Sequence, residues 1–251
     1  MIIIKNSEQI TLMRKAGQIT AEALLLARDM IKPGISTKEI DTKIQHYIEK
    51  CGAKPSFLGY GGFMGSACIS LNEQVIHGIP SKNVILKEGD IVKIDVGACY
   101  RGYNGDSART YTVGKVSNEA LRLIRVTEDS FYEAMKALKP GNRIGDVGFA
   151  VENFVISNGY SVVKQYVGHG VGASLHEEPE VPNFGKPGKG PRIYSGMTLA
   201  IEPMVNQGTH DVRVKNDGWT VVTLDGKLSA HYENSVLVTA DEVEILTKAS
   251  E

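Results

Sequence analysis

The sequence predicts an α+β fold built from two similar halves, in which helices cover antiparallel sheets. The tripeptide Lys32-Pro33-Gly34 returns as Lys139-Pro140-Gly141, which lies 107 positions further along the chain. The run from Gly89 to Asp95 returns at the same offset as the run from Gly196 to Glu202, and each run ends in an acid. Coincidence is the alternative, because Pro-Gly turns are common, but one shared offset favours duplication. We therefore expect a single domain, 1–251, with an internal repeat of roughly 1–115 and 116–251.

Each half is predicted to begin with two helices separated by the Lys-Pro-Gly turn. Ser36 precedes an apolar helical pattern and Glu39 follows three positions later, which is the capping-box arrangement of a helix N-terminus. The spacing of Ile40, Ile44 and Ile48 places one face of this helix against a core. The predicted helices are Ser7–Met30, Ser36–Lys50, Ser117–Leu138 and Ile144–Ser157.

Strands are predicted after each helix pair, where apolar or alternating runs are bounded by Gly and Asp turns. A turn at Gly102–Gly105 predicts a hairpin that carries Asp95 on one arm and Asp106 on the other. Two equivalent sheets are expected, one in each half, with helices on their outer faces. The predicted strands are Ile91–Ala98, Ala108–Val113, Thr198–Val205, Trp219–Leu224 and Ser235–Thr239.

Composition and charge restrict the classes of partner. Lys and Arg number 28 against 29 Asp and Glu, and no block of basic residues marks a surface for DNA or for a membrane. The 3 cysteines have no paired spacing, which argues against a disulfide framework and favours a reducing compartment. The apolar start Ile2–Ile4 is too short for a signal peptide, and no run approaches the ~20 apolar residues of a membrane span. We therefore expect a cytoplasmic protein with a small, nearly neutral substrate.

Four acids end or interrupt the apolar strands: Asp95, Asp106, Glu202 and Glu233. A carboxylate in an apolar sheet is costly unless it is paired or binds a cation. If a pseudo-twofold axis relates the halves, Asp95 and Glu202 face each other across it, and such like charges need cations. Two surface acids beside a loop are the alternative for Asp95 and Asp106 taken alone. Carboxylates with one imidazole suit Mn(II), Fe(II), Co(II) or Zn(II), and shared carboxylates favour two ions about 3.5–4 Å apart.

The surroundings of the histidines separate His169 from the others. It lies in Gly168-His169-Gly170-Val171-Gly172, where glycines allow the backbone to pass close to a neighbour. A glycine-rich loop with one histidine is a weak signal when it is read alone. His77 and His176 lie in loop-like sequence, where an ordinary structural role is the alternative to a functional one.

Two further histidines are expected on the surface, and one near the acids. His46 lies in the second predicted helix and His210 in a polar turn, so both are interpreted as solvated. In a strand, His231 would share a face with Glu233, because alternate residues point to the same side. We interpret His231 as a group that contacts the candidate ligands without binding the metal itself.

Nine short motifs together resemble the type I methionine aminopeptidases over nearly all 251 residues. The candidate ligand types follow in the order of that family, Asp, Asp, His, Glu, Glu. The resemblance implies the pita-bread fold, a duplicated α+β domain with pseudo-twofold symmetry. It also implies removal of the initiator methionine from nascent chains when the second residue is small. The motifs are Asn72-Glu73, His77-Gly78-Ile79-Pro80, Gly89-Asp90, Ile94-Asp95, Gly105-Asp106, Gly168-His169-Gly170-Val171-Gly172, His176-Glu177, Ile201-Glu202-Pro203 and Tyr232-Glu233.

The resemblance assigns a role to each matched residue. Glu202 would accept a proton from the attacking water, His176 would hydrogen-bond the substrate carbonyl, and His77 would contact the peptide nitrogen. Two divalent ions are expected, drawn from Co, Mn, Fe, Zn or Ni, together with a monovalent cation near Asn72 and Ser229. The residues implied as ligands are Asp95, Asp106, His169, Glu202 and Glu233.

The resemblance also implies a pocket for the methionine side chain and a set of partners. Departures from the family pattern are Phe57 in place of cysteine, Leu175 in place of phenylalanine and Asn234 in place of histidine. Nascent polypeptide N-termini are the expected partners, with transient ribosome contact, no DNA, no membrane and a monomeric enzyme. The pocket residues implied are Phe57, Tyr60, Phe63, Cys68, Leu175 and Trp219.

Two other functions fit part of the pattern. An aminopeptidase P or prolidase of the same fold would use the same five ligands, although the start of the chain at the predicted catalytic domain disfavours it. The gap between His176 and Glu202 lacks the long insertion of type II members, which favours type I, and the start of the chain at the predicted catalytic domain favours its bacterial form. A non-catalytic binding module would have lost ligands, and all five are present here.

Overall fold

The computed structural model describes residues 1–249, and four α-helices lie in this range. They are α1 (Ser7–Met30), α2 (Thr37–Lys50), α3 (Asn118–Ala137) and α4 (Ile144–Ser157). The four predicted helices are confirmed to within one residue at each end. Ser36 caps α2, since its hydroxyl accepts from the Glu39 amide and the Glu39 carboxylate accepts from the Ser36 amide. This reciprocal pair is the predicted capping box.

The two helix pairs occupy equivalent places in the chain. Both bounds of α4 lie 107 positions after those of α2. Ile40 and Ile44 of α2 are fully buried in one apolar core, while Val147 and Val151 of α4 are buried in another. The repeat seen in the sequence therefore corresponds to helices that pack in the same manner.

Fifteen strands follow or separate these helices in the described range. All of their pairings are antiparallel. They are β1 (Lys54–Pro55), β2 (Ala67–Leu71), β3 (Gln74–Ile76), β4 (Ile91–Tyr100), β5 (Tyr103–Thr112), β6 (Ser161–Val162), β7 (Gly168–Gly170), β8 (Glu177–Val181), β9 (Thr198–Ile201), β10 (Met204–Asn206), β11 (Val212–Val214), β12 (Val221–Thr223), β13 (Ser229–His231), β14 (Asn234–Val238) and β15 (Val243–Ile245).

The expectation of two equivalent sheets is wrong, because the described strands form four sheets. One contains β1, β2, β4 and β5, and another has the order β15-β14-β9-β7-β8. Two three-stranded sheets lie beside them. The predicted strand Thr198–Val205 is divided at Glu202 and Pro203, because proline has no amide to donate to a ladder. Its first part, β9, pairs with β14, whereas its second part, β10, pairs with β6 and β13.

The hairpin of β4 and β5 also differs from the prediction. Its turn contains Arg101 and Gly102 alone, both with positive φ, which matches the twist of the strands that it joins. The predicted turn continued to Gly105 and was therefore too long. Gly105 instead lies in β5 against α1, where a Cβ atom would come within 2.6 Å of the Gly17 amide nitrogen. The close contact holds β5 against this helix.

Hydrogen bonds join the two larger sheets where β5 passes the start of β14. The backbone of Ala108 in β5 exchanges two hydrogen bonds with that of Glu233, at 2.9 and 3.3 Å. The Ser235 hydroxyl also accepts from the Asp106 amide at 2.9 Å. The first half of the chain is thereby joined to the start of β14 in the second half.

The remaining features agree with the composition. The three cysteines Cys51, Cys68 and Cys99 are free thiols. None of the helices within residues 1–249 is both long enough and apolar enough to cross a membrane.

Candidate metal centre and substrate pocket

The two aspartates are brought together by the register of the β4–β5 hairpin. Asp95 pairs with Ala108, and Asp106 pairs with Gly97. Residues at these diagonal positions lie on the same face of an antiparallel pair, so both carboxylates point to the same side. The predicted hairpin is thus confirmed as the element that places Asp95 beside Asp106.

The two glutamates approach from the larger sheet of the second half. Glu202 directly follows β9 and Glu233 directly precedes β14, and the adjoining residues Ile201 and Asn234 pair with each other. Glu233 is also held to Ala108 by the two backbone hydrogen bonds that join the sheets. Ala108 is also the strand-pairing partner of Asp95. The backbone hydrogen bonds therefore place both glutamates near the aspartates.

His169 completes this group from β7, where it pairs with Ala200 of β9. Its Nε2 atom lies 3.5 Å from Glu202 Oε1 and 3.9 Å from Asp106 Oδ2. Its Nδ1 atom lies 2.8 Å from the carbonyl oxygen of Gly170. A neutral ring that donates from Nδ1 to this carbonyl leaves the Nε2 lone pair directed at the acids, as metal-binding histidines do.

Burial and mutual repulsion raise the pKa values of the acids. Burial raises the pKa of Asp106 to about 7. Burial, followed by the charges of neighbouring carboxylates, raises the pKa values of Asp95, Glu202 and Glu233 well above their usual range. Such raised pKa values cluster at functional sites.

The donor atoms of this group fit a divalent cation. Asp95 Oδ1, Asp106 Oδ1 and Glu233 Oε1 are buried and have no hydrogen-bond partner among the described residues. Buried carboxylate oxygens of this kind are stabilised when they coordinate a cation. Ligand atoms of Asp106, His169 and Glu233 lie within 4.8 Å of one another, and so do those of Asp95, His231 and Glu233. The sequence placed His231 outside the ligand group, whereas the structure places it among the acids.

A cavity of about 220 Å³ opens directly onto the acids. Four buried apolar side chains form a cluster along one wall of the cavity, and Trp219 packs against this cluster. The volume lies below the ~300–1,000 Å³ of a drug-sized ligand site, so the cavity suits a single side chain. All of the predicted pocket residues line it, namely Phe57, Tyr60, Phe63, Cys68, Leu175 and Trp219.

His77 and His176 lie on the same cavity as the acids. His77 follows β3 with a φ of 59° and contacts the rings of Tyr166 and Trp219 edge to face. Burial, followed by the nearby His176, lowers the pKa of His77 to about 4. The His176 ring packs edge to face on His169 at 4.2 Å, and its partial burial lowers its pKa. The rings of His77 and His176 are therefore neutral near pH 7.

The sequence that builds this site matches a known group of enzymes. The model for metallopeptidase family M24 matches residues 11–240. The chain belongs to this family. Its fold is accordingly the pita-bread fold, as the resemblance implied, and binding of divalent metal is a property of the family.

Individual relatives agree with this placement over the full length of the M24 chain. Methionine aminopeptidase from Clostridium perfringens is 53% identical over 98% of this chain and 99% of its own. Methionine aminopeptidase 1 from Bacillus subtilis is 50% identical over 99% of this chain and 100% of its own. The crystal structure of methionine aminopeptidase from Thermotoga maritima superposes with a TM-score of 0.97, at 48% identity, over 99% of this chain and 100% of that one.

The remaining predicted positions of this M24 metallopeptidase can also be located. His46 and His210 are exposed, as expected. The Asn72 carbonyl accepts from the Lys93 ammonium at 2.7 Å and from the Ser229 amide at 3.1 Å, so this oxygen is satisfied by the protein itself. The monovalent cation expected there stays a prediction.

Gly61 is a site residue that the sequence did not predict, and His231 was predicted only outside the ligand group. Gly61 lines the cavity, and a Cβ atom there would lie 3.3 Å from the Trp219 ring. Its positive φ of 56° is the signal that glycine was needed, and only the backbone reveals it. His231 was seen to share a face with Glu233, but its distance from the acids depended on the pairing of β13 with β10.

Proposed function

We propose that this metallopeptidase is a methionine aminopeptidase that removes the N-terminal methionine of proteins whose second residue is small. The observation that carries the proposal is the small apolar cavity, which ends at the four acids and His169. An unbranched methionine side chain fits such a cavity and gains from contact between its sulfur and the aromatic rings. The relatives from Clostridium perfringens and Bacillus subtilis are both named methionine aminopeptidases and match at least 98% of each chain, which supports this assignment.

Asp95, Asp106, His169, Glu202 and Glu233 are proposed to hold two divalent ions, drawn from Co, Mn, Fe, Zn or Ni. When bound, such ions lower the pKa of water toward neutrality and polarise the scissile carbonyl group. The unpartnered acid oxygens around the cavity support this role. A free substrate amine would also reach these ions, which restricts cleavage to the end of a chain.

The remaining steps are assigned to residues of this chain. Glu202 accepts a proton from the attacking water, since it lines the cavity and its side chain is 12% exposed. His176 donates a hydrogen bond to the substrate carbonyl oxygen as negative charge develops there. His77 lies on the same cavity and contacts the peptide nitrogen that leaves.

The wider setting follows from the same assignment. We propose that 1–251 forms one catalytic domain, that the enzyme acts as a monomer in the cytoplasm, and that its partners are nascent N-termini with transient ribosome contact. The near-zero net charge agrees with a peptide substrate rather than a nucleic acid.

A comparison of two peptides tests the proposal. The enzyme is loaded with Co(II) or Mn(II), and release of the first residue is measured from Met-Ala-Ser and from an Xaa-Pro peptide. Turnover of Met-Ala-Ser with little release from Xaa-Pro is expected. Turnover of the Xaa-Pro peptide alone would instead identify an aminopeptidase P or prolidase. Absence of both metal binding and turnover would identify a binding module.

A further inference from the structure

His231 is a buried imidazole whose ring nitrogens are not satisfied by the protein. The residue is 1% exposed, and neither Nδ1 nor Nε2 has a hydrogen-bond partner among the described residues. A buried polar atom without a partner is destabilising, so such atoms are uncommon in native proteins and each has a reason. The surroundings of His231 supply that reason.

The Nε2 atom of His231 faces two carboxylates at equal distance. It lies 3.8 Å from Glu202 Oε2 and 3.8 Å from Glu233 Oε2. Both distances exceed the range of about 2.7–3.2 Å in which a nitrogen donor hydrogen-bonds to oxygen. Two ligands that bind one ion at about 2.0–2.2 Å can be up to about 4.4 Å apart. The separation therefore suits a shared cation better than a hydrogen bond.

The position of His231 is fixed by its backbone. Its amide donates to the Thr110 hydroxyl at 2.9 Å, and its carbonyl accepts from the same hydroxyl at 2.8 Å. On the other side, its strand β13 pairs with β10 through Met204. The imidazole is thus held toward the acids by elements from both halves of the chain.

Two triads of ligand atoms meet at Glu233. One contains Asp106 and His169, and the other contains Asp95 and His231. Each triad has one aspartate, one imidazole and the shared glutamate. The five residues implied by the family resemblance supply an imidazole to the first triad only.

We propose that His231 Nε2 is a direct ligand of the divalent ion held by Asp95 and Glu233, so that each ion of the pair has one imidazole. The inference rests on the proposed metal-dependent function and adds a sixth ligand to it. Imidazole suits Fe, Ni and Zn, whereas carboxylates and water suit Mn, and nitrogen ligands bind Co(II) more tightly than Mn(II). His231 therefore shifts the preference of this position away from Mn(II).

Metal titration of a substituted protein tests the proposal. Metal-free wild type, His231→Gln and the control His210→Gln are titrated with Co(II) and with Mn(II) in a calorimeter, and the visible spectrum of bound Co(II) is recorded. For His231→Gln we expect Co(II) to bind one site at least about tenfold more weakly, because even an outer partner of a ligand is worth that much. Mn(II) affinity should change less, and the Co(II) spectrum should shift. His210 is exposed, so its variant should match the wild type. Equal Co(II) affinity and an unchanged spectrum in His231→Gln would overturn the proposal.

Crystals of the wild type loaded with Co(II) give a second test that does not depend on how a variant folds. Anomalous diffraction should place an ion about 2.0–2.2 Å from His231 Nε2, the length of a metal–imidazole bond. An ion pair bound by the five other residues, with His231 hydrogen-bonded to a carboxylate, would overturn the proposal. In that case the proposed function would be retained as long as the enzyme releases methionine from Met-Ala-Ser. An enzyme with the His231 ligand but without that release would retain the inference and refute the function.

Discussion

The hydroxyl oxygen of Tyr60 lies 2.7 Å from Nδ1 of His176, at the mouth of the cavity. A neutral imidazole that accepts from this hydroxyl at Nδ1 carries its proton on Nε2. That tautomer can donate from Nε2 to a carbonyl oxygen in the cavity. Partial burial lowers the pKa of His176, which favours the neutral ring. Tyr60 was predicted as a pocket residue, and the structure adds that it orients His176.

Tyr60→Phe is therefore expected to lower kcat on Met-Ala-Ser by roughly 2–12-fold, the equivalent of one hydrogen bond of about 0.5–1.5 kcal/mol. The apolar ring and its contact with methionine are retained, so KM should change little. Steady-state kinetics measure both values. Tyr194→Phe, which removes the hydroxyl of an exposed tyrosine outside the cavity, serves as the control. An unchanged kcat in Tyr60→Phe would contradict the orienting role.

His176→Ala is expected to lower kcat much further, by roughly 10²–10³-fold, since it removes a donor to the developing oxyanion. Because His176 is not among the proposed ligands, metal content measured by atomic emission should stay at the wild-type value. His46→Ala, at an exposed histidine on α2, is the matched control. Loss of metal in His176→Ala would show that the ring has a different role.

Glu202→Ala is expected to lose both metal and turnover. Glu202 lies 3.5 Å from His169 Nε2 and is proposed both as a ligand and as the proton acceptor. Metal analysis after dialysis and kinetics on Met-Ala-Ser measure the two losses. Glu180→Ala removes an exposed acid of β8 and should leave both unchanged. Full activity in Glu202→Ala would show that this acid does not take part.

The metal-free protein is expected to lose stability as the pH rises from about 4 to about 7. Burial raises the pKa of Asp106 from 3.8 to about 7, so the unfolded state ionises first and binds fewer protons in this interval. This contribution is present in full below about pH 4 and is lost as the pH passes the folded-state pKa of about 7. Thermal unfolding in a chelator measures the effect.

Two comparisons isolate this contribution from other titrating groups. Asp106→Asn removes the ionisation, so its Tm should fall less with pH than that of the wild type. Addition of Co(II) to the wild type at about pH 8 should raise Tm, because binding to the folded state stabilises it by about 2.7 kcal/mol at 100 times Kd. Parallel pH profiles for wild type and Asp106→Asn would contradict the assignment.

Phe57→Ala is expected to relax the selection of methionine. Phe57 is buried, and its Cε1 atom lies 2.8 Å from where a Cβ atom of Gly97 would be, so the ring fills the space beside β4. Loss of pocket contacts typically costs ~10–200-fold in discrimination per methylene. The ratio of kcat/KM for Met-Ala-Ser to that for Phe-Ala-Ser should therefore fall by at least about tenfold. Phe149→Ala, at an exposed phenylalanine of α4, should leave the ratio unchanged.

Local signals were sufficient for much of the fold. The four helices were predicted to within one residue, because capping residues and the 3.6-residue apolar period are properties of neighbouring positions. Strand bounds were less accurate. β5 begins at Tyr103 and not after Gly105, since the turn length depends on how β4 and β5 pair.

The sequence by itself contained the candidate ligand types, their order and the repeat that relates Asp95 to Glu202. Only the tertiary structure decided that a second imidazole, His231, lies 3.8 Å from Glu202 and Glu233. The reason is physical. Alternation along one strand predicts which of its residues share a face, whereas the distance between residues of different strands depends on strand pairing between segments far apart in the chain. The contact of Ala108 with Glu233, which joins the two halves, is of this second kind.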